Sequence, residues 1–116
     1  MLSKSSLGYL KFLRLAKAVN EESSLPTLDA IEERLLNYLA LDWHSDKKLT
    51  VVEIMHGFPD ISPSTVHRRL KTIRKKGLID LHVDEIDNRI KYIVHTNLTD
   101  KYFSHLGQCL VKAVNA

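Results

Sequence analysis

The feature that most constrains this chain is a cationic segment at residues 62–77, which reads SPSTVHRRLKTIRKKG. The segment holds six of the 17 Lys and Arg residues and none of the 14 Asp and Glu residues, so the rest of the chain is mildly acidic. Ser62 is a good helix N-cap, Pro63 is favoured at the first helical position, and Gly77 can take the left-handed conformation that ends a helix. The segment is therefore predicted to form one cationic helix with defined ends.

This predicted helix has an apolar side and a polar side. At about 100° per residue, Val66, Leu70 and Ile73 fall on one narrow stripe, which is expected to face the core. The opposite side places short hydroxyl side chains first and long cations behind them. This order suits a helix that enters a DNA major groove by its N-terminus, because small residues allow close approach and cations reach bases or phosphates. The alternative is a solvated helix, which explains the cations at residues 74–76 as partners of the helix dipole but not the earlier ones.

The residues upstream of the cationic helix predict two more helices. Thr50 and Glu53 have the spacing of a capping box, which would begin a short helix that ends near His56. Residues 57–61 contain Gly and Pro and lead directly into the cationic helix, so the two helices make a helix-turn-helix. A longer amphipathic helix is predicted over residues 27–43.

After the cationic helix, the hydrophobic period changes from helical to alternating. The apolar runs at residues 78–83 and 90–94 are typical of two strands of a hairpin, and the polar residues 84–89 would form its loop. Three helices followed by a hairpin make a winged helix-turn-helix, so the predicted fold is mainly α with one β-hairpin. The predicted parts are an N-terminal helix with its linker, the winged helix-turn-helix domain and a C-terminal helix, at residues 1–26, 27–97 and 98–116.

Residues 28–103 resemble the winged-helix domain of MarR-type bacterial transcriptional regulators. The resemblance rests on both ends of the cationic helix, its apolar stripe, the wing and the start of the last helix: Ser62 to Val66, Leu70, Ile73, Lys76 to Ile79, Asp87, Arg89, Leu98 and Thr99. It implies a homodimer that is joined through its terminal helices and binds a roughly palindromic duplex. It also implies that the cationic helix enters the major groove and that Arg89 reaches from the wing toward the minor groove.

Ten residues are predicted to bind DNA. Those assigned to base edges are Ser64, Thr65, Arg68 and Thr72. Those assigned to phosphates are Arg69, Lys71, Lys75 and Lys76, and the set is completed by Ser62 at the start of the helix and Arg89 in the wing. The wing also carries Asp84, Glu85 and Asp87. Arg89 is therefore either a DNA ligand or the ion-pair partner of a wing carboxylate.

Both ends of the chain are predicted to be amphipathic helices, with a linker at residues 21–26. They carry more apolar surface than a small winged-helix core covers, and a two-fold dimer would bury it. The residues assigned to the dimer interface are Leu7, Leu10, Leu13, Tyr102, Leu106 and Leu110. Two alternatives stay open: the helices pack back on their own domain, or the basic N-terminal helix lies on a membrane surface.

The sequence offers little support for an enzyme. The six His residues are scattered without a pair at metal-ligand spacing, and the four Gly residues do not cluster, so no catalytic site, metal or cofactor is predicted. The single cysteine, Cys109, fits a reducing cytoplasm, and its helical spacing beside leucines favours a buried structural thiol. No segment is apolar enough to predict a membrane span or a secretory signal.

The sequence therefore predicts a cytoplasmic homodimer that binds specific double-stranded DNA, as a transcriptional regulator does. One alternative is a winged-helix module that binds another protein, which fits the acidic wing. Another is a plasmid or phage replication or partition protein that binds DNA through the same helix. A small-molecule effector is compatible with the resemblance, but no residue pattern supports one.

Overall fold

The computed structural model describes residues 1–21 and 24–115. In these residues it has five helices, which are α1 (Lys4–Asn20), α2 (Ala30–His44), α3 (Val51–Met55), α4 (Pro63–Lys75) and α5 (Asn97–Val114). It has three strands, which are β1 (Leu49–Thr50), β2 (Ile79–Val83) and β3 (Lys91–His95). The winged helix-turn-helix fold predicted from the sequence is confirmed. The predicted linker includes residues 22 and 23, which lie outside the described residues.

The chain divides into two compact units. One unit is Leu28–Thr99, and the other consists of Met1–Thr27 together with Asp100–Ala116. The first unit contains α2, the helix-turn-helix made by α3 and α4, and the sheet. The second unit contains α1 and most of α5.

Helix α4 begins with the signals that the sequence predicted. The Ser62 hydroxyl accepts a hydrogen bond from the backbone N–H of Thr65 at 3.2 Å, and Pro63 is the first helical residue. The cap satisfies an N–H that has no partner inside the helix, and proline gives up only an N–H that would have had none. The predicted apolar stripe is buried, as expected for the side that faces the core: Val66, Leu70 and Ile73.

The end of α4 is a Schellman motif. The N–H of Leu78 donates to the carbonyl of Ile73 at 3.2 Å, and the N–H of Gly77 donates to the carbonyl of Arg74 at 2.9 Å. Gly77 has a φ of +83°, a conformation that costs residues with a Cβ about 1–2 kcal/mol. This turn directs the chain from the helix into strand β2.

The start of α5 is tied to this same turn. The Thr96 hydroxyl accepts from the N–H of Thr99 at 3.2 Å and donates to the carbonyl of Gly77 at 2.6 Å. The fully buried hydroxyl of Thr99 donates to the carbonyl of Leu78. Buried polar groups need such partners. The two threonines thus join the start of α5 to the turn that follows α4.

Helix α2 begins later than the predicted residue 27. Its N-cap is Asp29, whose carboxylate accepts from the N–H of Glu32 at 2.8 Å, while Glu32 Oε1 accepts from the N–H of Asp29 at 3.0 Å. The prediction was wrong at this end because this reciprocal capping box fixes the helix start more strongly than Thr27 does. The buried residues of α2 are Glu32, Leu35, Leu36 and Leu39.

The sheet is antiparallel, with the strand order β1-β3-β2. The two predicted strands pair as a hairpin, with Leu81 opposite Ile93. Strand β1 was not predicted, because two residues are too few to show an alternating pattern. It pairs with β3 through Leu49 and Thr50, and Thr50 is also the N-cap of α3. The helix-turn-helix is thereby attached to the base of the wing.

The core of the Leu28–Thr99 unit lies between its helices and its sheet. Trp43 joins α2 to the sheet, since its indole N–H donates to the carbonyl of Ile93 at 3.0 Å. Burying one large aliphatic side chain contributes about 1.5–3 kcal/mol. The buried apolar residues of this unit are Leu28, Leu35, Leu36, Leu39, Leu49, Ile54, Phe58, Val66, Leu70, Ile73, Leu78, Ile79 and Ile93.

The terminal helices expose apolar side chains. Leu7, Leu10 and Leu13 on α1 are 54%, 43% and 44% exposed, and Leu110 on α5 is 54% exposed. Tyr102, which the sequence assigned to the dimer interface, is only 1% exposed in the single chain. It lies on the inner stripe of α5 with the buried residues Cys109 and Ala113, while Leu106 is partly exposed.

In the part of the chain that the structure describes, no helix combines the length and hydrophobicity that crossing a bilayer requires.

Candidate nucleic-acid interface

The exposed side of α4 forms a cationic surface. Arg68, Lys71, Thr72, Arg74 and Lys75 line one shallow depression of about 590 Å³. Four of these five residues were predicted to bind DNA, and the helix brings them together because they recur within two of its turns. The depression is open to solvent and contains no carboxylate among its lining residues.

Three cations of this surface form no ion pair with any residue that the structure describes. Arg68, Lys71 and Lys75 are exposed and take part in none of the ion pairs found among the described residues. Arg74 differs, since it lies 3.3 Å from Asp80 on strand β2. An exposed cation without a protein carboxylate is available to neutralise a phosphate.

The hydroxyl groups at the start of α4 have different tasks. Ser62 caps the helix and also donates to the Thr65 hydroxyl at 2.8 Å, so its hydrogen is directed into the protein. Ser64 is exposed at the first turn. The Thr72 hydroxyl donates to the carbonyl of Arg68 at 3.1 Å and is left with acceptor capacity only. Ser64 and Thr65 are therefore the hydroxyl donors that remain for a ligand.

Two predicted phosphate contacts are instead paired with the protein. The Lys76 ammonium lies 2.8 Å and 2.9 Å from the two carboxylate oxygens of Glu32, and Arg69 pairs with Asp29. Both cations were assigned to phosphates because sequence position alone does not show which flank of a helix faces its neighbour. In the structure this flank of α4 faces the first turn of α2, where both cations have carboxylate partners.

The wing loop is shaped by its own carboxylates. Asp84 accepts from the N–H groups of Asp87 at 2.9 Å and Ile86 at 3.0 Å, and from the Tyr92 hydroxyl at 3.1 Å. These bonds, that from Asp87 first, lower the pKa of the Asp84 carboxyl, and the Asp84 carboxylate raises the pKa of the Tyr92 hydroxyl. Asp84 therefore acts as a cap for the loop, which accounts for one of the acids that the sequence placed here.

Arg89 forms a two-point ion pair inside the wing. Its Nε and one terminal nitrogen each lie 3.0 Å from an oxygen of Asp87, and this guanidinium lowers the pKa of the Asp87 carboxyl. The side chain remains 87% exposed. Of the two interpretations left open by the sequence, the ion pair is present in the structure. Exposed pairs of this kind contribute about 0–1 kcal/mol, so a phosphate can replace the carboxylate at small cost.

A groove of about 600 Å³ lies between α3, α4 and the hairpin. Sequence reasoning missed it because it depends on strand β1, which brings α3 against β3. Most of its lining is apolar, and two of its charged lining residues, Lys71 and Arg74, also line the cationic depression. The apolar lining residues are Val51, Val52, Met55, Leu70, Ile79, Leu81, Ile90 and Ile93.

The turn between α3 and α4 is held from α2 by residues that the sequence did not single out. Arg34 makes two hydrogen bonds to the carboxylate of Asp60, at 2.6 Å and 2.9 Å, and lowers the pKa of that carboxyl. Its guanidinium also lies 5.1 Å from the ring centre of Phe58, which packs against Tyr38 at 5.0 Å. The pairing links residues 26 positions apart, so no local pattern reveals it.

Among the described residues, no three His, Cys, Asp or Glu side chains are grouped so that they could hold a metal ion. Cys109 is buried, as the sequence predicted.

The fold and this surface define a winged helix-turn-helix protein. Among solved structures it is similar to the heme sensor PefR of Streptococcus agalactiae in complex with heme, with 25% identity, a TM-score of 0.60 and coverage of 90% of this chain and 65% of PefR. It is also similar to a MepR mutant of S. aureus bound to an oligodeoxyribonucleotide, with 21% identity, a TM-score of 0.69 and coverage of 99% and 81%.

A third similar structure is a MarR-like transcriptional regulator from Thermotoga maritima, with 22% identity, a TM-score of 0.58 and coverage of 91% and 77%. The chain thus spans about two thirds of the length of PefR and larger shares of the other two. The resemblance to MarR-type winged-helix regulators that the sequence indicated is confirmed. No protein-family model and no curated protein matches the chain by sequence.

Proposed function

We propose that this protein binds specific double-stranded DNA as a homodimer and regulates transcription in the cytoplasm. The observation that carries the proposal is the exposed face of α4, where Arg68, Lys71 and Lys75 lie together and pair with no carboxylate among the described residues. The similar MepR structure contains an oligodeoxyribonucleotide, and the similar Thermotoga maritima protein is a MarR-like transcriptional regulator. A helix with this surface on a winged-helix scaffold has the shape and charge to enter a major groove.

The residues of α4 divide into two roles in this proposal. Ser64, Thr65 and Arg68 are assigned to base edges, because they lie at the N-terminal part of the helix, which penetrates the groove most deeply. Thr72 adds an acceptor at the same face. Lys71 and Lys75 are assigned to phosphates, where a compact charge on a flexible stem suffices.

The wing supplies a further contact. Arg89 exchanges the carboxylate of Asp87 for a phosphate or for acceptors in the minor groove. The loop stays ordered after this exchange, because the Asp84 cap and its bond to Tyr92 do not involve the arginine.

The homodimer is the second part of the proposal. Leu7, Leu10 and Leu13 on α1 and Leu110 on α5 are exposed, with Leu106 partly exposed. A two-fold interface would remove this apolar surface from water. It would also set two α4 helices in successive major grooves, about 34–36 Å apart.

A small-molecule effector is compatible with this proposal. PefR, one of the similar proteins, is a heme sensor. The groove beside α4 has a volume of about 600 Å³, within the usual range of ligand pockets. A ligand there would contact Lys71 and Arg74 and would compete with DNA.

The test is the affinity of the protein for a duplex across a salt series, measured by fluorescence anisotropy. We expect a straight log–log plot whose slope is about −0.9 for each phosphate contact. A chain that serves only as a protein-binding module would show no salt-dependent affinity for DNA, and that result would reject the proposal. The acidic wing favoured such a module. In the structure, however, two of its three carboxylates, Asp84 and Asp87, accept hydrogen bonds from within the loop.

A further inference from the structure

The first turn of α2 holds one flank of α4 through two carboxylates. Glu32 is 2% exposed, and its two oxygens lie 2.8 Å and 2.9 Å from the Lys76 ammonium at the end of α4. Asp29 pairs with Arg69, seven residues earlier on the same flank. The four residues thus form two ion pairs between the same two helices, one at each end of a two-turn stretch.

These two carboxylates also cap the helix on which they stand. Asp29 and Glu32 are the two members of the capping box of α2, and each accepts a backbone N–H of the other residue. The hydrogen bond that the Glu32 N–H donates to Asp29 lowers the pKa of the Asp29 carboxyl, and the charge of Arg69 lowers it further. The capping bonds hold both carboxylates in place on α2. The ion pairs that these carboxylates form therefore constrain the position and the rotation of α4.

The ion pairs also remove two charges from the DNA-binding surface. Binding of any sequence depends mainly on the number of phosphates that cations neutralise, whereas discrimination depends on base contacts. With Arg69 and Lys76 held by α2, the exposed face keeps Arg68, Lys71 and Lys75 as its unpaired cations. A carboxylate as buried as Glu32 requires its cation, because an unpaired buried charge is costly.

We propose that Asp29 and Glu32 are positioning residues that set the orientation of α4 and hold Arg69 and Lys76 away from phosphate, and so determine how strongly the protein prefers its own site over other DNA. This inference rests on the proposed function. Removing either carboxylate should loosen the helix and release a cation. Specific binding should then weaken while binding to unrelated DNA is maintained or strengthened.

The chain allows a clean test, because amides can replace both carboxylates in their capping role. Asn is as good an N-cap as Asp, and Gln can replace Glu in a capping box, so Asp29→Asn and Glu32→Gln change mainly the charge that faces α4. Glu33→Gln is the matched control, since Glu33 lies in the same first turn but is exposed and forms no ion pair among the described residues. Lys76→Met removes the charge from the other partner and keeps most of its stem.

The measurement is the affinity of each variant for two duplexes across a salt series. One is the best duplex recovered from a random library, and the other is a scrambled duplex of the same length. For Glu32→Gln and Asp29→Asn we expect the ratio of the two affinities to fall about threefold to tenfold. For the scrambled duplex we expect a slope steeper by up to about 0.9, because one more cation reaches phosphate. Lys76→Met should lower the ratio without flattening that slope.

Several results would overturn the inference. If Glu32→Gln and Glu33→Gln give the same ratio, the buried carboxylate does not position α4. If Glu32→Gln weakens both duplexes by one factor, its role is only in stability. If Lys76→Met flattens the slope by about 0.9, Lys76 contacts phosphate in the complex. If the unmodified protein binds neither duplex, the proposed function is wrong and the inference that rests on it is wrong too.

Discussion

Replacing Leu10 and Leu110 together by Asp is expected to convert the protein into a monomer and to weaken its binding to a palindromic duplex by at least about 100-fold. The two leucines are 43% and 54% exposed, so the substitutions place charges on surfaces that the single chain leaves uncovered. The loss follows because a dimer binds its second half-site at a high effective concentration, and a monomer has no such gain. Sedimentation velocity reports the mass, and anisotropy reports the affinity.

The matched control is Leu41→Asp on α2. Leu41 is 74% exposed and lies in the Leu28–Thr99 unit, outside the terminal helices, so its substitution should leave both mass and affinity unchanged. A double variant that remains a dimer would show that the exposed leucines of α1 and α5 are not the interface. If Leu41→Asp also yields a monomer, the interface lies elsewhere.

The second large effect is expected at Arg68. If Arg68 makes a two-point contact to a base, Arg68→Ala should cost about 1–3 kcal/mol of binding free energy on the preferred site and relax the preference at one base pair. Lys75→Ala should weaken all duplexes alike and flatten the salt dependence by about one charge. Affinities for the preferred duplex and its single-base variants, measured at several salt concentrations, separate the two behaviours.

Lys47→Ala is the control for this pair. Lys47 is exposed in the connection between α2 and β1 and lines neither the cationic depression nor the groove, so its removal should change neither the affinity nor the slope. Identical behaviour of Arg68→Ala and Lys75→Ala would contradict the division of α4 into base-contacting and phosphate-contacting residues.

The features that the sequence predicted well are those that neighbouring residues determine. Both ends of α4 depend on hydrogen bonds between residues three positions apart, namely Ser62 with Thr65 and Gly77 with Arg74. The hairpin follows from alternating apolar residues in two consecutive segments. Caps, turns and hydrophobic periods act over such short distances, so one sequence is enough to place them.

The features that the sequence did not reveal concern partners that are distant in sequence. Arg69 and Lys76 were assigned to DNA, yet their carboxylates lie 40 and 44 positions away. Strand β1 exists only because β3, more than 40 residues later, supplies its hydrogen bonds. Tyr102 shares a helical stripe with more exposed residues, so spacing alone could not separate the core from the surface. Tertiary packing decides these cases: of the six cations in the segment, three take part in none of the ion pairs found among the described residues.

In the acidic wing, too, the sequence did not show which groups the carboxylates bind. The sequence placed three carboxylates near Arg89, which left open whether this arginine binds DNA or a wing carboxylate. In the structure, Asp84 and Asp87 accept hydrogen bonds from the backbone and from side chains of the wing itself. Their charges stabilise the loop, so the wing is compatible with a DNA surface in a way that residue counts do not reveal.

The most direct test of the central claim is selection of bound duplexes from a random library by the full chain at low salt. The account predicts enrichment of an inverted repeat whose half-sites lie about one helical turn apart, since two α4 helices of a two-fold dimer would occupy successive major grooves. Failure to enrich any duplex, even at the lowest salt, would contradict DNA binding by the exposed face of α4.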